Sequence, residues 1–208
     1  MTEPRKLLLI FVKNPLPGKV KTRLARTIGE AKALEIYQQL LLHTVAITKE
    51  VNTDKAVFYS DFIGESDIWP EAIYQKYVQQ GTELGQRMEN AFCWAFWQRY
   101  EQVVIIGSDC PQLTATIIHQ AFEALQTSQV VIGPAVDGGY YLLGLKSNVS
   151  QLFTNKAWSS PTVFTSTIAD LQKLQLCYKL LPLLHDIDHE EDLALLDSIH
   201  SSSLPKLS

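Results

Sequence analysis

Long apolar stretches are missing from this chain. Runs such as Leu7–Val12 and Val103–Ile106 fall far short of the roughly 20 residues that a membrane-spanning helix requires, so no membrane partner is expected. Cysteine is scarce: Cys93, Cys110 and Cys177 are odd in number, widely spaced and without a Cys-x-x-Cys pair, which excludes a dithiol motif or cysteine zinc site and points to reduced structural thiols. A surplus of positive charge is also absent. Against 22 Asp+Glu stand 18 Lys+Arg, for a formal net charge of −4, whereas a nucleic-acid surface needs a basic stripe to neutralise phosphates; no nucleic-acid partner is expected. Linkers, internal repeats and low-complexity tracts are lacking, and 208 residues suit one large domain of roughly 100–200 residues. The expectation is one domain over residues 1–208, with 201–208 as a frayed tail. The N-terminal residues run into an apolar stretch that Lys13, Asn14 and Pro15 interrupt, with no small-residue cleavage site, so they are read as the first strand of a cytoplasmic protein.

What is present is an ordinary globular composition, 46% hydrophobic and 19% charged, with an alternating rhythm of strands and helices. Lys6–Val12 reads as a strand buried on both faces, and Ala31–Lys49 as a helix with Leu34, Tyr37, Leu41 and Val45 along one side. Further strands are expected at Lys55–Tyr59, Val103–Ile106, Val130–Gly133, Tyr140–Leu145 and Lys179–Leu184. Further helices are expected at Leu84–Tyr100, Thr114–Thr127, Thr165–Lys173 and Glu190–Ile199, while Glu71–Tyr77 shows no clear pattern. Such alternation predicts an α/β fold with a mostly parallel, doubly wound sheet, in which ligands bind outside the carboxyl ends of the strands.

Directly after the first strand come Lys13, Gly18, Lys19, Lys21, Thr22 and Arg23, part of a segment, Lys13–Arg26, that holds five of the 18 basic residues. A stiff Pro-rich loop with one glycine lets backbone approach a ligand, and its cations suit phosphate oxygens; a solvated basic loop is the plainer alternative. It is not a Walker A loop, since Gly18-Lys19 is followed by Val20. Gly107-Ser108-Asp109-Cys110-Pro111 ends the clearest strand, where Asp109 suits Mg²⁺ or Mn²⁺ as an oxygen ligand or, alternatively, caps the next helix. Asp188 is the second metal candidate, with Asp186 as substitute, against helix capping by this acidic run. Gln80, Gly81, Gly85 and Arg87 offer groups for a base, and Asp137, Gly138, Gly139 and Tyr140 could admit a ligand beside backbone. A tight turn accounts equally for the paired glycines, and a surface helix position for Arg87. The five histidines lack metal-ligand spacing, and no Gly-x-Ser-x-Gly elbow occurs.

Together, the basic loop, Gln80-Gly81-x-x-Leu84-Gly85-x-Arg87-Met88, Gly107–Pro111, Gly133-Pro134-Ala135-x-Asp137-Gly138-Gly139-Tyr140 and Asp186-Ile187-Asp188 resemble the DUF2064 group, also called radical-SAM/selenodomain-associated transferase 1 and classed with A-type glycosyltransferases. More distantly, Lys13–Leu24 with Asp109 is similar to phospholactate guanylyltransferase and the molybdenum-cofactor nucleotidyltransferases. The resemblance implies a three-layer α/β/α nucleotide-diphospho-sugar transferase fold, the first loop around phosphates, and Asp109 on a metal. It also matches Asp188 to the Asp of an Asp-Thr-Pro-Glu-Asp-Leu ending, although His189 and Glu190 stand here for Thr and Pro. Pro111 occupies the place of the second Asp of a glycosyltransferase Asp-x-Asp, which favours the single-Asp arrangement of nucleotidyltransferases.

The expected activity is therefore a Mg²⁺- or Mn²⁺-dependent transferase whose partners are a nucleoside triphosphate or nucleotide sugar and an acceptor. Lys21 and Arg23 would offset phosphate charge, and Asp137 would serve as acceptor base if a glycosyl group moves. The alternatives are a nucleotide-binding accessory protein without turnover and an aspartyl phosphatase using Asp186 or Asp188.

Overall fold

A strand whose successive side chains are all apolar needs cover on both faces. In Lys6–Val12 (β1), six of the seven residues are buried. The computed structural model describes residues 3–65 and 67–196. In it β1 is joined by Asp54–Tyr59 (β2), Gln75–Val78 (β3), Gln102–Ile106 (β4), Val130–Pro134 (β5), Tyr140–Leu145 (β6) and Tyr178–Leu180 (β7). These form one seven-stranded sheet in the order β3-β2-β1-β4-β6-β5-β7. All neighbours pair in parallel except β6, which runs antiparallel to both β4 and β5.

Alternation along each strand sends side chains to two separate cores. Leu8, Ile10, Val104 and Ile106 pack with Tyr37, Leu41 and Val45 of the helix Glu30–Lys49 (α2) and with Ile118 and Phe122 of Ala115–Thr127 (α4). Leu7, Leu9, Val103 and Ile105 pack on the opposite face with Met88, Ala91 and Phe92 of Leu84–Trp97 (α3) and Leu171 of Val163–Lys173 (α5). The result is the expected three-layer α/β/α fold. No helix among the described residues is long and apolar enough to cross a membrane.

The structure departs from the sequence reading at several boundaries, each with a local cause. A helix absent from that reading, Thr22–Ile28 (α1), follows the basic loop directly; the prolines and glycine before it had marked the whole segment as loop. β3 is an edge strand with a half-exposed face and no apolar alternation. It is held in part by Lys76 Nζ, 2.9 Å from Asp67 Oδ1. α3 stops at Trp97, before the expected Tyr100, where Arg99 turns into the left-handed region at φ 66°. β7 ends at Leu180 rather than Leu184, because Pro182 lacks a ladder donor, and Leu184 rejoins the sheet only as an isolated bridge to Ala135. The last expected helix is a 3-10 helix, Glu190–Leu196; its remainder to Ile199 and the tail 201–208 lie outside the described residues. All three cysteines are free, with Cys110 buried and its thiol pushed up to about 12 by burial.

His43 of α2 is buried, with Nε2 2.9 Å from the Leu113 carbonyl oxygen, and burial holds its pKa below the ordinary imidazole value. The unfolded chain therefore binds a proton at higher pH than the fold does, so this residue costs stability as pH falls below about 6.5. Melting curves from pH 8 to pH 5 should show a smaller acid-side drop for His43→Gln than for the native chain; equal drops would count against this assignment.

Candidate active site

The loops that leave the carboxyl ends of β1 and β4, the turn entering β6, and the segment after the Leu184 bridge all open on one cavity of about 620 Å³. Behind this cavity the β1 loop is held in shape by Asn14, a buried side chain that replaces missing backbone partners. Asn14 Oδ1 accepts from the Asp61 and Phe62 amides at 3.0 and 3.3 Å, and Nδ2 donates to the Phe62 carbonyl at 2.8 Å. Tyr37 fixes the other side of the loop. Its hydroxyl accepts from the Lys13 amide at 2.8 Å and lies 3.1 Å from the Lys13 carbonyl and 3.2 Å from Ser108 Oγ. Burial holds this phenol above its ordinary pKa, so it stays protonated while tying the β1 loop to the β4 loop. Sequence periodicity had marked Tyr37 only as helix core.

Gly18 sits at φ +68°, in the region that a Cβ disfavours, and lets the chain reverse before Lys21. Lys21 precedes α1 at φ 46°, ψ 43°. Its side chain is only 2% exposed and its Nζ lies 3.0 Å from Asp109 Oδ2 and 3.7 Å from Asp188 Oδ1. Two residues on, Arg23 Nη1 donates to Asp188 Oδ2 at 3.0 Å. The Ile187 amide donates to the Asp109 carbonyl at 3.2 Å, so the Asp186–Asp188 segment is strapped against the end of β4.

This geometry sorts the acids. Thr114 caps α4 by accepting from the Ile117 amide at 3.3 Å, which leaves the Asp109 carboxylate to the cavity. Asp192 does the capping in the last segment, accepting from the Asp188 and His189 amides at 2.9 and 2.8 Å, while Asp188 turns to Lys21 and Arg23. Burial alone would raise the Asp109 pKa, but Lys21 outweighs it and holds the carboxyl below the usual carboxylate range. For Lys21 itself, burial pulls the ammonium down, and Asp109 with Asp188 and Asp186 more than restores it. Asp186 lacks a close cation; burial, Asp109, Asp137 and Asp188 push it up to about 7 despite Lys21.

On the opposite rim, Asp137 Oδ1 accepts from the Gly139 amide at 2.8 Å. The turn is pinned below by the Phe164 amide, which donates to the Gly138 carbonyl at 2.8 Å. Lys156, 1% exposed, pairs with Asp170 of α5 at 2.6 Å and anchors the segment that brings Trp158, Ser159 and Ser160 to the cavity. At the far end, Gln79 Nε2 donates to the Phe58 and Val12 carbonyls at 2.9 and 3.2 Å, while Arg87 Nε donates to the Gly81 carbonyl at 3.1 Å.

The cavity thus gathers Lys13, Lys21, Thr22, Arg23, Arg87, Ser108, Asp109, Asp137, Gly139, Tyr140 and Asp188. Gly18, Lys19, Gln80, Gly81, Gly85 and Gly138 lie outside its lining. Lys19 is exposed, and Gly85 makes room for the Trp158 ring, whose Nε1 stands 2.2 Å from where a Cβ would be. Gln79, Thr82, Ser60 and Trp158–Ser160 line the cavity without having been singled out. Only the polarity of Gln79 and Thr82 beside the Gly81 motif offered a signal; Trp158 reaches the site through tertiary packing.

As a metal site, Asp109 and Asp188 offer hard oxygen donors that suit Mg²⁺ or Mn²⁺, in a cluster with more acid than base. Among the described residues no group of three His, Cys, Asp or Glu is arranged to enclose an ion. That matches the habit of Mg²⁺ to take one or two carboxylates and complete its shell with water and phosphate oxygens. The donor set fits the ion.

Several solved structures share this architecture. A candidate nucleotide-diphospho-sugar transferase from Desulfovibrio desulfuricans G20 superposes with a TM-score of 0.82 at 28% identity, over 95% of this chain and 99% of that one. A cytidylyltransferase from Leptospira borgpetersenii matches with a TM-score of 0.60 at 16% identity, over 98% and 90%. Rv0371c from Mycobacterium tuberculosis H37Rv, in complex with manganese, matches with a TM-score of 0.57 at 11% identity, over 94% and 100%. The last two establish the fold alone. A search of curated proteins found no match. The profile of one family, described as uncharacterized proteins conserved in bacteria, matches residues 42–160. Since that stretch is more than half of the chain and carries the Gly81, Asp109 and Asp137 motifs, the protein belongs to the DUF2064 family.

Proposed function

We propose that the protein is a metal-dependent nucleotidyltransferase. The acceptor, a phosphate-bearing compound, attacks the α-phosphorus of a nucleoside triphosphate; the bond to the β-phosphate oxygen breaks and pyrophosphate leaves. The observation that carries this reading is the convergence of Lys21, Arg23, Asp109 and Asp188 at one wall of the cavity. Cations there meet the charge that grows on the leaving pyrophosphate, and a preorganised charge needs no rearrangement at the moment of transfer. Bound at Asp109 and Asp188, Mg²⁺ or Mn²⁺ would supply Lewis-acid neutralisation of the phosphates. Lys13 at the mouth of the first loop adds charge for the polyphosphate, and Arg87 with Gln79 orders the far end, which suits the base. The cytidylyltransferase and manganese-bound relatives support nucleotide and metal as the ligand classes.

Glycosyl transfer from a nucleotide sugar is the second reading, and Asp137 favours it. With Oδ1 engaged by Gly139, its second carboxylate oxygen remains available to a sugar acceptor hydroxyl beside Trp158.

Thermal melting against nucleoside triphosphates and nucleotide sugars, with and without Mg²⁺ or Mn²⁺, separates these readings. Ligand at about 100 times its Kd adds about 2.7 kcal/mol of stability. A metal-dependent rise with one triphosphate, followed by pyrophosphate release with acceptor, supports nucleotidyl transfer. A rise confined to nucleotide sugars supports glycosyl transfer, binding without product supports an accessory role, and no rise with any saturating ligand rejects the site.

A further inference from the structure

The Lys21 side chain is 2% exposed, and its ammonium sits between two carboxylates, 3.0 Å from Asp109 and 3.7 Å from Asp188. The backbone enforces this placement, because Lys21 adopts the left-handed conformation at the start of α1. An ammonium has three protons to donate, and phosphate oxygens are acceptors of the matching charge. The two carboxylates it touches are the same two that suit a divalent ion. A Mg²⁺–oxygen contact is about 2.0–2.1 Å, so an ion bound by both would take the ground the ammonium holds, and two cations at such range repel strongly in a partly buried setting.

We propose that Lys21 is the resident counter-ion of the metal carboxylates, and that a divalent cation binds well only when a polyphosphate draws Lys21 onto its own oxygens. The inference rests on the reading of Asp109 and Asp188 as metal ligands. Metal and polyphosphate then bind as a coupled pair, because each removes what keeps the other out: the polyphosphate takes the ammonium away, and the metal replaces its charge. Arg23 stays on Asp188 throughout and keeps that carboxylate turned inward. Coupling between two ligands of this kind typically spans roughly 5- to 150-fold in affinity.

The test measures Mn²⁺ binding by the electron paramagnetic resonance of the free ion, for the native chain, Lys21→Gln and Asp109→Asn, with and without inorganic pyrophosphate. A protein-free titration corrects for the Mn²⁺–pyrophosphate complex. The native chain should bind Mn²⁺ about tenfold more tightly with pyrophosphate than without. Lys21→Gln should bind Mn²⁺ alone about tenfold more tightly than the native chain does, with most of the pyrophosphate gain gone, and its melting temperature should rise on adding Mn²⁺. Asp109→Asn should lose the metal in both conditions. If Lys21→Gln gains no affinity for Mn²⁺ alone while the native chain still binds Mn²⁺ with pyrophosphate, the counter-ion role falls and the transferase reading stands. If no form binds Mn²⁺ in any condition, both fall. Native binding of Mn²⁺ that is equally tight without pyrophosphate overturns the proposal by itself, whatever the fold of the variant.

Discussion

Asp109→Asn is expected to reduce transfer by about a thousandfold or more while leaving the protein folded. The activity loss follows from position. Asp109 stands alone at the end of β4, with Pro111 two residues on, so no neighbouring carboxylate on that loop can take over. Losing one preorganised group at the site where charge develops costs about 10²–10³ in turnover, and here the same residue also orients Lys21 at 3.0 Å. The stability cost is expected to be about 1 kcal/mol, since the Asp109 side chain is 42% exposed and water screens its ion pair. Asp188 remains beside the ammonium at 3.7 Å. The pH dependence carries the same signature. A carboxyl held low in the fold stabilises the native state above its unfolded pKa, and that contribution is lost as pH falls through the folded value. The variant should therefore lose less stability than the native chain on acidification below about pH 4. Initial rates with the triphosphate identified by melting, together with melts at pH 7 and pH 3, check both parts. Near-native turnover would remove Asp109 from the site.

The second large effect is expected at Gly138. A Cβ there would stand 2.1 Å from the Pro161 carbonyl oxygen, and the residue sits at φ +87°. Neither strain can be relieved by a side-chain rotation, because the obstruction is backbone. Left-handed conformation costs about 1–2 kcal/mol and overpacking about 1–3, so Gly138→Ala should lose about 3 kcal/mol in denaturant unfolding. The Asp137 turn and the Trp158–Pro161 wall would move apart, and binding of the acceptor should weaken more than binding of the nucleotide. Gly139→Ala is the control: its Cβ would meet only the Asp137 carboxylate at 3.2 Å. Equal stability of the two variants would contradict the packing seen here.

Much of the fold was legible because burial on two faces writes itself into β1 and β4 as unbroken apolar runs, and α2 and α4 carry their contacts at helical spacing. β3 was not, since an edge strand has no need of apolar alternation, and its support from Asp67, nine residues before Lys76, is an ion pair rather than an apolar pattern. α1 was hidden by prolines and a glycine that shape the loop before it, not the helix. Within the site, motif order located Asp109, Asp137 and Asp188 near strand ends. Assigning Asp188 to the cavity and Asp192 to capping required the backbone path, because both are aspartates four residues apart in one acidic run. Tyr37, Trp158 and Lys156 were beyond reach for a related reason: each acts through a partner in another part of the chain.

The strand order also governs when the site exists during folding. β1 pairs with β4 across roughly 100 residues of intervening chain, the kind of non-local contact that closes slowly. Lys21 follows β1, Asp109 follows β4, and Asp188 follows Leu184, which bridges to Ala135. A chain lacking that last segment would lack one of the two carboxylates around Lys21. Acquisition of ligand binding is therefore expected to trail burial of the sheet in refolding.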